Sequence, residues 1–127
     1  MVLPGFDGCL DAYPLDEWLK REEFLRSLPE DEDGIYYLRA VLSQMRRCKM
    51  DRHKRILVPT QLLRLVGIKD SVFIIGMLDH LEFWNPETYQ QYLASRPVKP
   101  QDALKRTMQK FRGLVWKKQM EVKGEDE

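Results

Sequence analysis

Residues 46–59 read RRCKMDRHKRILVP, and the fold turns on this stretch. Cys48 and Met50 alternate with Lys49 and Asp51, while Ile56–Val58 is an apolar, β-branched run. Alternation is the period of a half-buried strand, and a short apolar run suits a buried one. With the polar tetrapeptide Arg52–Arg55 between them, the pattern predicts strand, tight basic turn, strand. Arg46–Arg55 holds six Lys or Arg and a single acid, Asp51. Arg52, His53, Lys54 and Arg55 therefore concentrate cations at a hairpin tip. Guanidinium groups pair bidentately with phosphate or with guanine O6 and N7, so this is chemistry suited to DNA. Asp51 would repel a phosphate; its better role is to accept hydrogen bonds from the turn backbone and orient Arg55. Arg46, Arg47 and Lys49 would add phosphate contacts that carry no sequence information. The residues alone leave a second reading open, in which Arg55 merely fastens the hairpin through a salt bridge to Asp51.

Working outward, Thr60–Val66 after Pro59 reads as a short helix with Gly67 at its C-cap. Ser71–Met77 reads as a buried strand, and Leu81–Trp84 as another after an Asp79-His80 turn. Asn85-Pro86-Glu87 is a helix start, with a capping side chain, a proline in the first turn and an acid at the positive end of the dipole. That helix runs to about Ser95. On the N-terminal side, Gly8–Tyr13 reads as a short strand. Leu15, Trp18, Leu19, Leu25 and Leu28 then mark a helix that Pro29 stops. Glu30–Gly34 reads as an acidic loop, and Ile35, Leu38, Val41, Leu42 and Met45 as a second helix. After Pro97, Leu104, Met108, Phe111 and Val115 form an apolar stripe on a basic helix weakened by Gly113. Such a helix suits packing or partner contact, with DNA or a membrane surface as the other options.

An internal repeat organises these elements. Leu10–Trp18, LDAYPLDEW, lines up with Leu81–Tyr89, LEFWNPETY, at an offset of 71 residues, and Phe6-Asp7 matches Leu78-Asp79 after one insertion. Two copies of one small α+β unit are expected. The first copy has only five residues ahead of Phe6, leaving no room for the hairpin, helix and strand that precede Leu78 in the second. The expectation is an N-terminal unit without its first half, by loss or by a late start.

These residues carry a family resemblance. Asp51–Pro59 is a D-x-x-x-R-[IL]-x-[IV]-P signature. With Leu62-Leu63, Gly67-Ile68 and Val72–Gly76 in order behind it, it resembles the second half of the MraZ family. Asp7–Trp18 is similar to the end of that family's first half, so the likeness covers roughly Leu3–Ser95. It implies an α+β fold of two AbrB-like swapped-hairpin modules, the first incomplete. Residues 1–45 would be the remnant of the first module with connecting helices, 46–96 the second module, and 97–127 a basic amphipathic tail. It further implies a bacterial DNA-binding transcriptional regulator and repressor of its own cell-division and cell-wall operon. Such a regulator assembles as a homo-oligomer, in rings, binds tandem G-rich promoter repeats in double-stranded DNA and associates with the nucleoid. Only Asp51 and Arg55 carry over residue by residue, because a first D-x-x-x-R loop is missing, and Lys54 stands where the family pattern has glycine. The competing function is an oligomerisation or protein-interaction module that has lost DNA binding along with that loop.

Composition narrows the remaining classes. The 127 residues are 43% hydrophobic and 32% charged, with 21 Lys and Arg against 20 Asp and Glu. That is one domain, or two very small ones, large enough to fold without disulfides or metal. The longest apolar run, Ser71–Leu78, is far below the roughly 18–20 residues of a membrane span. Cys9 and Cys48 make no disulfide framework and MVLPGFDGCLD is no signal peptide, so the expected location is cytoplasmic. Neither His53 nor His80 sits at informative spacing from a nucleophile, Cys48 with His53 supplies only two metal ligands, and no nucleotide-binding glycine motif occurs. No enzyme, cofactor or metal is expected from these motifs, and Trp18, Trp84 and Tyr89 are read as core.

Overall fold

Two short β-hairpins form the sheet. In the computed structural model, which describes residues 1–111, the first is β1 (Val2–Pro4) with β2 (Leu10–Ala12). The second is β3 (Phe73–Gly76) with β4 (Leu81–Trp84). All pairings are antiparallel, and β2 joins β4 to give the order β1-β2-β4-β3. Leu10 lies opposite Phe83, Asp11 opposite Glu82 and Ala12 opposite Leu81. Asp11 thus faces its own repeat mate, and Leu10 faces the mate of Ala12, which is the register of a local twofold axis. Helix α1 (Leu15–Arg26) follows β2, and α4 (Pro86–Ser95) follows β4, starting at the same 71-residue offset. Between them lie α2 (Glu32–Leu42) and α3 (Thr60–Leu65).

The sheet has a different apolar cluster on each face, as strand alternation requires. Val2, Leu10 and Phe83 pack with Leu62, Val66 and Ile68 from α3 and its exit, and Cys48, Ile56 and Val58 lie against them. Leu3 and Tyr13, pointing the other way, pack with Trp18 and Leu25 of α1 and Val41 of α2. Each buried side chain of this size contributes roughly 1.5–3 kcal/mol of transfer free energy. Trp18 and Trp84 are both buried, in keeping with the core reading. Leu15 and Leu19 are exposed, so the buried face of α1 is narrower than its leucine pattern suggests.

Four expectations are corrected. The strand–turn–strand at Cys48–Val58 is reduced to one isolated bridge, Met50↔Ile56. The incoming arm is held elsewhere: Arg46 and Val2 exchange backbone hydrogen bonds of 2.8 and 2.9 Å, while the outgoing arm enters Pro59 and α3. The apolar stretch Ser71–Met77 is a strand only over Phe73–Gly76, and it is not buried. It forms the sheet edge, with Ile74 53% exposed. A strand does precede Phe6: β1 occupies the place that β3 takes in the second repeat, in three residues too few to show a period. The acidic loop is also shorter than read, because α2 starts at Glu32, where Asp31 caps the helix by accepting from the Gly34 N–H at 2.8 Å. Acids favour that end of a helix dipole.

By contrast, Asn85 caps α4 as expected, its Oδ1 accepting from the N–H groups of Glu87 and Thr88 at 2.8 and 3.2 Å. Gly67 follows α3 with φ +72°, the left-handed conformation that glycine adopts without steric cost. The chain divides into two units, Met1–Tyr92 and a second from Leu93 onward. In the second, residues 100–111 are helical, and Leu104, Met108 and Phe111 are exposed. Val115, Gly113 and the basic residues from Arg112 lie outside the described residues. No helix among the described residues is long and apolar enough to cross a membrane.

Candidate nucleic-acid interface

The turn at residues 51–55 is built around one carboxylate. The Asp51 N–H donates to the Arg55 carbonyl at 2.9 Å, and the Lys54 N–H to the Asp51 carbonyl at 3.1 Å. Asp51 Oδ1 accepts from the backbone N–H groups of His53 and Arg55 at 2.8 and 2.9 Å. Its Oδ2 accepts from Arg55 Nε at 2.9 Å. These bonds hold the carboxyl below its ordinary range, the Arg55 backbone N–H first among the causes. The resulting loop order is present above the ordinary carboxylate range and is lost as pH falls through the depressed value. An NMR titration of the Asp51 side chain should therefore have its midpoint below that of an ordinary aspartate, with the His53 and Arg55 amide signals moving together with it.

Fixing Nε has a geometric consequence for Arg55. A guanidinium carries five N–H donors in a planar fork, and only the Nε–H is engaged by Asp51. The two Nη groups extend beyond it, on a side chain 73% exposed. The salt bridge and an outward contact are therefore compatible: Asp51 orients the fork, and the fork's far edge remains for an acceptor. Arg52, His53 and Lys54 are exposed beside it, and their side chains make no hydrogen bond or ion pair among the described residues.

Lys54 has φ +59°, a backbone conformation L residues adopt at a cost of about 1–2 kcal/mol. Lys54 stands where the family pattern has glycine, but its positive φ was not expected from the residues. Lys54→Gly should stabilise the fold by about 0.5–1 kcal/mol, read as a higher midpoint in chemical denaturation.

The flanking cations are arranged differently. Arg46 Nη1 donates to the carbonyls of Ser43 and Met45 at 3.1 and 2.8 Å, so that nitrogen caps the end of α2. Arg47 and Lys49 border an open apolar groove of about 730 Å³ that also touches Val2, Tyr13, Met50 and Ile56. The five residues 51–55 are thus brought together as one unit, and Arg46 belongs to the helix end.

The chain is thus a repeat-built α+β protein that carries a carboxylate-braced cationic turn. A family model described as "MraZ protein, putative antitoxin-like" matches residues 41–112. Among curated relatives, "Transcriptional regulator MraZ" of Caldicellulosiruptor saccharolyticus is 36% identical over 99 residues, 77% of this chain and 69% of the relative. The protein of that name from Clostridium beijerinckii is 36% identical over 93 residues, 72% of this chain and 66% of the relative. That from Deinococcus radiodurans is 32% identical over 97 residues, 76% and 68% respectively. The chain belongs to the MraZ family, and it spans about two thirds of the length of these relatives. The relatives are named as regulators of transcription, not as enzymes.

Proposed function

We propose that this chain is a sequence-specific DNA-binding transcriptional regulator, acting as a cytoplasmic, nucleoid-associated repressor of its own cell-division and cell-wall operon. The observation that carries the reading is the Asp51-oriented Arg55 fork at the exposed tip of a cationic turn. Arg55 reads guanine, Asp51 braces it, and Arg52, His53 and Lys54, helped by Arg47, Lys49 and Arg46, contact phosphate. The names of the relatives support the same reading.

The active form is a homo-oligomer, a ring in its closed form, built from AbrB-like modules. One turn makes few contacts, so tandem G-rich repeats are bound through several turns at once. Two features support assembly. The arms at Cys48–Val58 share only one bridge within the chain. An open groove of about 400 Å³ beside them, lined by Ile56, Val58, Leu63, Ile74 and Phe83, suits the hairpin of another copy. Residues 46–96 form the DNA-reading module, and the tail from residue 97 serves partner contact.

The test is fluorescence anisotropy with a tandem G-rich duplex and a scrambled control across a salt series. Preference for the repeats, with affinity falling about one log unit per log unit of salt for each phosphate neutralised, is the expected result. Equal or absent binding to both duplexes would instead favour an interaction module that has lost DNA binding.

A further inference from the structure

On the sheet face opposite α3, Cys9, Asp11 and Glu82 meet at the local twofold axis, and His80 stands beside Asp11. Cys9, just before β2, lies two residues from Asp11 within it, and His80, just before β4, two from Glu82 within that strand. Alternation puts each pair on one face, and the 71-residue offset makes Cys9 the mate of His80 and Asp11 the mate of Glu82. Each repeat therefore contributes one sulfur or nitrogen donor and one carboxylate, with Asp11 and Glu82 directly opposed across the strands.

The distances suit a small ion. Cys9 Sγ, an Asp11 oxygen and a Glu82 oxygen lie within 4.8 Å of one another. Cys9 Sγ and His80 Nε2 are each 3.7 Å from Asp11 Oδ1. Tetrahedral zinc with ligand bonds of about 2.0–2.3 Å has ligand atoms roughly 3.3–3.6 Å apart. A contraction of a few tenths of an ångström would complete those two edges, and His80, outside the trio, has to turn toward Cys9 and Glu82 to complete the set.

The surrounding groups hold the ligands by their other atoms. His80 Nδ1 is 2.6 Å from Asp79 Oδ1. In the tautomer that donates Nδ1–H to Asp79, the Nε2 lone pair faces Asp11, the carboxylate–histidine arrangement typical of metal-binding imidazoles. The His80 ring stacks on Tyr13 at 4.5 Å, and Trp84 Nε1 donates to Glu82 Oε1 at 3.0 Å. Gly5 leaves the space occupied by the Asp11 carboxylate, since a Cβ there would lie 2.5 Å from Oδ1. Gathering these acids is costly without a cation. Burial pushes the Asp11 carboxyl up to about 6, and burial followed by the Asp11 charge pushes the Cys9 thiol well above its ordinary range.

We propose that Cys9, Asp11, His80 and Glu82 bind one zinc-class divalent ion, which ties the two repeat hairpins together across their twofold axis. On binding, the Cys9 thiol gives its proton to solvent and its thiolate joins the metal, the other ligands supplying neutral imidazole and carboxylate oxygen. Cys48, on the opposite face, takes no part.

Cobalt titration of the full chain under reducing conditions tests this, because four-coordinate thiolate–cobalt gives an intense charge-transfer band and strong visible bands. The expected result is saturation at one equivalent, with zinc displacing cobalt and bleaching the bands. Cys9→Ser abolishes the charge-transfer band, Cys48→Ser leaves it, and His80→Ala and Asp79→Asn weaken cobalt binding by at least about tenfold. At a hundredfold excess of zinc over its Kd, the Tm rises on the order of 10 °C. Circular dichroism establishes that each variant folds, and Glu82→Gln replaces Cys9→Ser if the latter does not. No band in the parent chain, a band that survives Cys9→Ser, or a band lost in Cys48→Ser overturns the site.

Discussion

Arg55→Ala lowers affinity for a tandem G-rich duplex by roughly 10- to 100-fold per engaged turn, while leaving the fold and the oligomeric state unchanged. The magnitude follows from the proposed guanine contact, since one bidentate arginine–guanine pair is worth about 1–3 kcal/mol of discrimination. Folding is spared because the side chain is 73% exposed and its ion pair with Asp51 is solvent-screened. The preference for repeats over a scrambled duplex should fall along with affinity. Arg52→Ala and Lys54→Ala should behave differently, weakening both duplexes alike and reducing the salt slope by about one unit each. Asp51→Asn separates brace from charge: it loses much of the preference by freeing the Arg55 fork, although it removes a negative charge from the turn. Anisotropy on the four variants at matched salt checks this. If Arg55→Ala binds the repeats as the parent does, the turn is only a fastened hairpin and the proposed function fails.

Leu10→Ala should destabilise the protein by about 2–5 kcal/mol, a large share of a total stability of the usual order of 5–15 kcal/mol. Leu10 is 0% exposed, opposes Phe83 across the central strand pair and packs with Val2, Leu62, Val66 and Ile68. The pocket left by the deleted methyl groups cannot collapse easily, because its walls come from β1, β4 and α3 with its exit. Leu57→Ala is the contrasting control. Leu57 lies only two residues after Arg55 in an equally apolar run, yet it is 88% exposed, so its loss in the isolated chain should stay within about 0.5 kcal/mol. Denaturant midpoints at equal slope measure both. Equal costs for the two leucines would show that the core does not sit between β2 and α3.

Much of this molecule was legible in the residues because the signals were local. The helix starts at Pro59 and Asn85, the Gly67 cap and the strand Leu81–Trp84 are set by residues acting within one turn of themselves. The repeat was visible because both copies use the same short-range grammar of leucine, acid, aromatic and helix start. The cationic turn was visible too, since an aspartate four residues before an arginine can reach both the turn backbone and the guanidinium.

What was misread depended on partners far along the chain. An apolar run such as Phe73–Ile75 has the same appearance in a central strand or at an edge, and only the sheet order β1-β2-β4-β3 decides that it is exposed. The Cys48–Val58 hairpin lost its ladder because Arg46 pairs with Val2, 44 positions away. β1 carries no period in three residues and exists because β2 offers it an edge. The gathering of Cys9, Asp11, His80 and Glu82 lies at the same limit: the repeat offset lines them up, but only the antiparallel β2–β4 register brings the two pairs together on one face. Local propensity and side-chain reach are short-range, so the elements, the repeat and the braced turn are written in the chain itself. Edges, exposure and cross-repeat contacts are long-range pairings, and packing alone selects among the alternatives that local sequence leaves equal.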